Sequence, residues 1–126
     1  FTMADKELAA LRIELSAARK LLGEMAKQMQ TFIDEHTTAK TAYERAFARA
    51  KVKEFAKAKT TADKQPTILN ALAEIDDEVM VAKDSLDLKY AKLEAFKVEF
   101  GAVEQDIMSI KKSMGTIESE MRTFGG

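Results

Sequence analysis

The spacing of apolar residues constrains this chain more than any other feature of its sequence. From Leu8 to Ala50, steps of three and four residues alternate, and every position reached is apolar except His36. This pattern is that of the a and d positions of a coiled coil, and it predicts one long helix. The positions are Leu8, Leu11, Leu15, Ala18, Leu22, Met25, Met29, Phe32, His36, Ala39, Tyr43, Ala46 and Ala50.

A second run of the same spacing extends from Leu72 to Phe124, with Lys89 as its polar exception. The stretch "KTTADKQPT" (59–67) separates the two runs and holds Pro66, the sole proline of the 126 residues. Proline disfavours helix at the residue before it and is tolerated in a first helical turn. The sequence therefore predicts helix one over about 4–59, a turn over about 60–66 and helix two over about 67–123.

The a and d positions of each run form its apolar seam. If residues whose numbers sum to about 125 are paired, the two seams lie opposite each other, as when Leu8 faces Ile117. We therefore predict an all-α fold: a long antiparallel two-helix coiled-coil hairpin, forming a single domain over residues 4–124. We interpret residues 1–2, which precede Met3, as a remnant outside this fold.

Five apolar residues lie off the seam. A single narrow seam buries little surface for a chain of this length, so we expect self-association into a helical bundle, with a dimer favoured. The same residues could equally dock another protein partner. They are Leu21, Ile33, Phe47, Leu88 and Tyr90.

In the predicted register, His36 and Lys89 fall in one polar layer. Polar residues in a coiled-coil seam commonly specify register or oligomeric state. A metal or catalytic site would have to be built on one histidine and carboxylates, because the chain has no cysteine and no second histidine. No P-loop or nucleophile-elbow motif is present either. We therefore predict no enzyme activity, no catalytic or metal-binding residues and no cofactor.

The acidic stretch "EIDDE" places Glu74, Asp77 and Glu78 on one face of a helix. These carboxylates could hold a divalent cation, but basic residues of helix one are expected opposite them. An exposed ion-pair edge is the favoured interpretation.

A basic segment near the end of helix one suggests a second kind of partner. Its cations alternate with Tyr43, Phe47 and Phe55, and phosphate contacts combined with base stacking bind single-stranded nucleic acid. The acidic stretch opposite would offset much of this charge. The candidate nucleic-acid contacts are Arg45, Arg49, Lys51, Lys53, Lys57 and Lys59.

The net charge is −1, and no apolar run reaches the length of a membrane span. We expect no membrane association. The absence of cysteine is compatible with a reducing compartment, so we expect a cytoplasmic location.

Two segments, "AYERAFARAK" (42–51) and "SIKKSMGTIESEMR" (109–122), carry a resemblance together with the turn between them. Over residues 25–122 the chain resembles small phage-encoded coiled-coil proteins found among DNA recombination and replication genes. The resemblance implies a phage accessory protein acting as a protein–protein interaction module in those processes. Two alternatives stay open: a nucleic-acid-binding accessory protein that uses residues 45–59, and a phage inhibitor of a host enzyme or defence complex.

Overall fold

A computed structural model describes residues 2–124 of the chain, and those residues are almost entirely helical, with no strand among them. Helix α1 spans Met3–Lys57, a short 3₁₀ helix spans Ala62–Lys64, α2 spans Pro66–Glu74 and α3 spans Asp77–Phe124. The long helices α1 and α3 pack together. The predicted all-α class is confirmed.

Helix α1 begins at a side-chain cap. The Asp5 backbone N–H donates to the Thr2 hydroxyl, while the Thr2 backbone N–H and hydroxyl both donate to Asp5 Oδ2, at 3.0 and 2.9 Å. This reciprocal arrangement satisfies N–H groups that have no partner inside the helix. The hydrogen bonds from Thr2 lower the pKa of the Asp5 carboxyl. Thr2, expected to lie outside the fold, thus caps the helix; Phe1 lies outside the described residues.

The segment between α1 and α2 follows the constraint that proline imposes. Gln65 is extended, with φ −68° and ψ 141°, and Pro66 occupies the first turn of α2. Proline clashes with a helical conformation at the residue before it, so Gln65 stays outside the helix and α2 begins at Pro66.

The predicted continuous second helix is interrupted at Ile75 and Asp76. The Asp76 carboxylate accepts the backbone N–H groups of Glu78 and Val79, at 3.0 and 3.4 Å. It therefore acts as the N-cap of α3, which starts a new helix instead of extending α2.

This interruption changes which face of α2 is buried. Leu72 and Ile75, predicted as seam residues, are 37% and 68% exposed, whereas Leu69 and Ala73 are 8% and 0% exposed. From Val79 onward the predicted seam agrees with the observed burial. Leu86, Leu93, Phe96 and Ile107 are buried or half-buried, and the Phe124 side chain lies outside those described.

The chain divides into two compact units. One consists of residues up to Gln30 and from Ala95 onward. Its buried side chains all lie at predicted seam positions, namely Leu8, Leu15, Met25, Phe96 and Ile107.

The other unit is Thr31–Glu94. Ala46, Ala50, Ala73 and Val79 form one buried cluster in it, and Tyr43, Phe47 and Ala82 pack against that cluster. Three of the four buried residues are alanine, so the helices of this unit pack together through small side chains. These contacts position the ion pairs and aromatic rings described next.

Candidate interaction surface

The two polar seam residues, His36 and Lys89, are both half-buried, and each lies close to a neighbour of the other. Lys89 Nζ lies 3.3 Å from Glu35 Oε2. The centroid of the His36 ring lies 5.7 Å from that of Tyr90, with the planes tilted by 47°. The structure therefore brings both residues to one level of Thr31–Glu94, but places each beside a third side chain. A role for this layer in setting register stays a prediction.

An ion pair connects α1 to the N-cap of α3. Lys53 Nζ lies 2.8 Å from Asp76 Oδ2, and the Asp76 side chain is 11% exposed. The hydrogen bond from Lys53 lowers the pKa of Asp76, and the N–H groups of Val79 and Glu78 lower it further. The same hydrogen bond raises the pKa of Lys53. One carboxylate thus caps a helix and holds that helix to α1.

Two further cations of the basic segment also pair with carboxylates. Arg49 pairs with Glu78 across the helices, and Lys57 Nζ lies 3.9 Å from Glu54 one turn earlier. Glu78 of the acidic stretch is thus held by an arginine. Among residues 2–124, no group of carboxylates, histidines or cysteines could hold a metal ion. The acidic stretch therefore lies against the basic one, as expected from their positions in the sequence.

The aromatic residues of the basic segment contact lysines. The rings of Tyr43 and Phe47 are 6.0 Å apart. Lys51 Nζ lies 5.6 Å from the Phe47 centroid, and Lys83 Nζ lies 5.8 Å from the Tyr43 centroid. These distances are those of cation–π contacts. Stacking a nucleic-acid base on either ring would have to displace a lysine that already lies over it.

Two of the six candidate nucleic-acid contacts differ from the rest. Arg45 and Lys59 have neither an ion pair nor a ring contact within the described part of the chain. The remaining four cations have intramolecular partners. Three of the six cations thus pair with carboxylates, and a fourth, Lys51, contacts a ring.

The candidate partner surface is mostly accessible. Within Thr31–Glu94, Ile33 is 37% exposed, Leu88 54% and Tyr90 53%, whereas Phe47 is half-buried against the alanine cluster. Leu21, in the other unit, is 46% exposed. Four of the five predicted residues therefore present apolar surface to solvent.

Sequence reasoning missed a second accessible stripe, which lies on α2. Ile68 is 38% exposed and is followed at helical spacing by Leu72 and Ile75. The heptad pattern assigned the last two to the core. The signal that could have found the stripe is Asp76, an N-cap residue type followed by two acidic residues, a sequence typical of a helix start.

An open groove of about 450 Å³ lies in Thr31–Glu94. Ala39 and Ala42 form its apolar part, while Glu35 and Lys89 supply charge of both signs. Lys89 and Glu35 pair with each other in this groove, and Asp34 adds a second carboxylate to its lining.

No helix within residues 2–124 combines the length and apolarity needed to cross a membrane. In comparisons with protein-family models, curated proteins and solved structures, nothing matches this chain.

Proposed function

We propose that this protein is a non-enzymatic interaction module, built as a long antiparallel two-helix coiled-coil hairpin that self-associates, with a dimer favoured. The observation that carries the proposal is that three large apolar side chains, Ile33, Leu88 and Tyr90, stay about half-exposed. Large apolar side chains at this exposure are stabilised when another protein covers them.

The cross-helix contacts of Thr31–Glu94 support the antiparallel arrangement. Glu35 pairs with Lys89, Arg49 with Glu78 and Lys53 with Asp76. Later residues of α1 thus contact earlier residues of α3. Extended to the other unit, the same arrangement places Leu8 beside Ile117.

Paired cysteines test the hairpin directly, because the natural chain contains no cysteine. The variant Leu8→Cys/Ile117→Cys should form an intramolecular disulfide on mild oxidation, since opposed seam positions come within bonding distance. Ile13→Cys/Ile117→Cys is the matched control, because Ile13 is 72% exposed and off the seam. Equal disulfide yields in the two variants would argue against the antiparallel hairpin.

Sedimentation equilibrium tests self-association. We expect a dimer at micromolar concentration, and we expect Leu88→Lys to weaken it at least tenfold, because a charge buried in an interface costs more than about 1.4 kcal/mol. Ala48→Lys adds the same charge at an exposed position of the other long helix and should leave the dimer intact. A monomeric wild-type chain, or equal effects of the two variants, would refute self-association through this surface.

For its biological role, we propose a phage-type accessory protein that contacts a protein partner in DNA recombination or replication, in the cytoplasm. An inhibitor of a host enzyme or defence complex would use the same surface with a different partner. Affinity capture with wild-type protein and with Leu88→Lys, followed by mass spectrometry, separates these cases. A relevant partner is captured by the wild type and lost in the variant.

Nucleic-acid binding is the second candidate, and the feature that favours it is that Arg45 and Lys59 have no carboxylate partner among the described residues. It predicts single-strand binding that weakens steeply with salt and is lost when Arg45 and Lys51 are replaced by glutamate. We favour the protein-partner function because most of the cations of residues 45–59 are held by carboxylates or rings. Measurable binding in low salt that is lost in this variant would reverse that preference.

A further inference from the structure

Helix α2 carries two apolar faces and buries one of them. Leu69 and Ala73 lie on the buried face. Leu72 and the C-cap residue Ile75 lie on the other side, and no part of the described chain covers them fully. A helix that is apolar on most sides is normally covered on most sides.

The uncovered face is in phase with the seam of α3. Leu72 and Ile75 precede Val79 by seven and four residues, so in an uninterrupted helix all three would share one face. Val79 is 1% exposed in the cluster with Ala46 and Ala50. A continuous helix would therefore direct Leu72 and Ile75 toward α1 and turn Ala73 outward.

The packing of a continuous helix would bury at least as much apolar surface as the observed packing. It would place a leucine and an isoleucine where the observed packing places a leucine and an alanine, and burial of the larger side chain is worth more. Something other than apolar burial must therefore favour the observed packing.

Asp76 provides that preference. In a continuous helix the N–H groups of Glu78 and Val79 would bond to the carbonyls of Glu74 and Ile75. The Asp76 carboxylate would then lose both of the N–H donors that it now accepts. Its position beside Lys53 would change as well.

We propose that Pro66–Ile75 is a register switch with two packing arrangements, and that the Asp76 cap selects between them. In the capped arrangement Leu69 and Ala73 are buried and Leu72 and Ile75 face solvent. In the continuous arrangement Leu72 and Ile75 are buried, and Leu69 and Ala73 face solvent. The switch goes beyond the interaction module proposed above, because it determines which apolar residues the protein presents near its turn.

Single-cysteine labelling tests the switch, since each variant carries one thiol. Ala73→Cys should react slowly with a maleimide in the parent chain, because residue 73 is 0% exposed. Adding Asp76→Ala should accelerate the reaction about fivefold, the population shift expected when an N-cap is lost. Ile75→Cys should slow only in proportion to the population that leaves the capped arrangement, so residue 73 is the sensitive reporter. An unchanged rate at residue 73 in a chain with full helical circular dichroism would overturn the proposal.

Two controls separate register exchange from unfolding. Asp76→Asn retains a capping oxygen but loses the charge that pairs with Lys53, so it should accelerate labelling less than Asp76→Ala does. Leu72→Glu, added to Asp76→Ala, opposes burial of residue 72 and should restore slow labelling. An acceleration that survives Leu72→Glu would report unfolding and refute the switch.

Hydrogen exchange provides a readout without cysteine. The Asp77 N–H lies in the first turn of α3, where a helix offers it no acceptor. In a continuous helix the Ala73 carbonyl would accept it. Asp76→Ala should therefore slow exchange at Asp77 in proportion to the population that becomes continuous, whereas faster exchange there would contradict the proposal.

Discussion

Val79→Ala should lower the free energy of unfolding, and the same substitution at a nearby exposed valine serves as its control. Val79 is 1% exposed and belongs to the buried cluster with Ala46, Ala50 and Ala73. Removing two buried methyl groups costs about 1.6 kcal/mol in transfer free energy, and the cavity left behind raises the loss to roughly 2–2.5 kcal/mol. Alanine is the better helix former by about 0.5 kcal/mol, so the net loss should be roughly 1.5–2 kcal/mol.

Val81→Ala isolates the helix-propensity term, because Val81 lies in the same helix and is 70% exposed. It should stabilise the protein by up to about 0.5 kcal/mol. Urea unfolding followed by circular dichroism gives both values. The comparison holds protein concentration constant, because self-association would make apparent stability concentration-dependent. The two variants should differ by about 2 kcal/mol with unchanged m-values. Similar stabilities for Val79→Ala and Val81→Ala would refute burial of Val79 in the alanine cluster.

Two further predictions concern helix interiors and acid stability. Gly101→Ala and Gly115→Ala should each stabilise the protein by roughly 0.5–1 kcal/mol in urea unfolding, because an added Cβ meets nothing within 4 Å and glycine disfavours helix. Destabilisation by either would indicate that another chain packs against that glycine. Asp76 has a lowered pKa in the folded chain, so its stabilising effect is present above the unfolded pKa of about 3.9 and is lost as pH falls through the lower folded value. Asp76→Asn should therefore lose less stability than wild type between pH 7 and pH 3 in urea titrations, and identical losses would contradict the contribution of the Lys53 pair.

The helix-one seam could be predicted because its signal is strong and local. Every predicted position from Leu8 to Ala50 is buried or half-buried. Helix propensity and heptad spacing agree along this stretch, and α1 runs through it without a break.

The prediction failed at Leu72 and Ile75, where two signals disagree. The heptad spacing continues through Asp76, but the Asp76 side chain competes for backbone N–H groups and Lys53 stabilises it in that position. Heptad spacing alone does not show whether a capping hydrogen bond will be more favourable than burial of a seam residue. The break therefore depends on a tertiary contact that sequence spacing does not contain.

The sequence indicated which charged segments would face each other, but it did not indicate the individual side-chain contacts. The opposed charges of the basic and acidic segments indicated cross-helix ion pairs, and Arg49 and Lys53 form them. The ring contact of His36 with Tyr90 could not be derived, because it depends on the side-chain rotamers of two different helices.

The positions of these contacts along the chain also suggest the order in which the molecule folds. Lys53 and Asp76 are separated by 23 residues, and Glu35 and Lys89 by 54. The other unit joins residues up to Gln30 with residues from Ala95 onward, so its closure spans a longer loop still. Loop-closure entropy grows with the length enclosed, and we therefore expect Thr31–Glu94 to form first and to nucleate the rest. In pulse-labelling hydrogen exchange, amides near Ala50 and Val79 should gain protection before those near Leu15 and Ile107; the reverse order would place the nucleus at the chain ends.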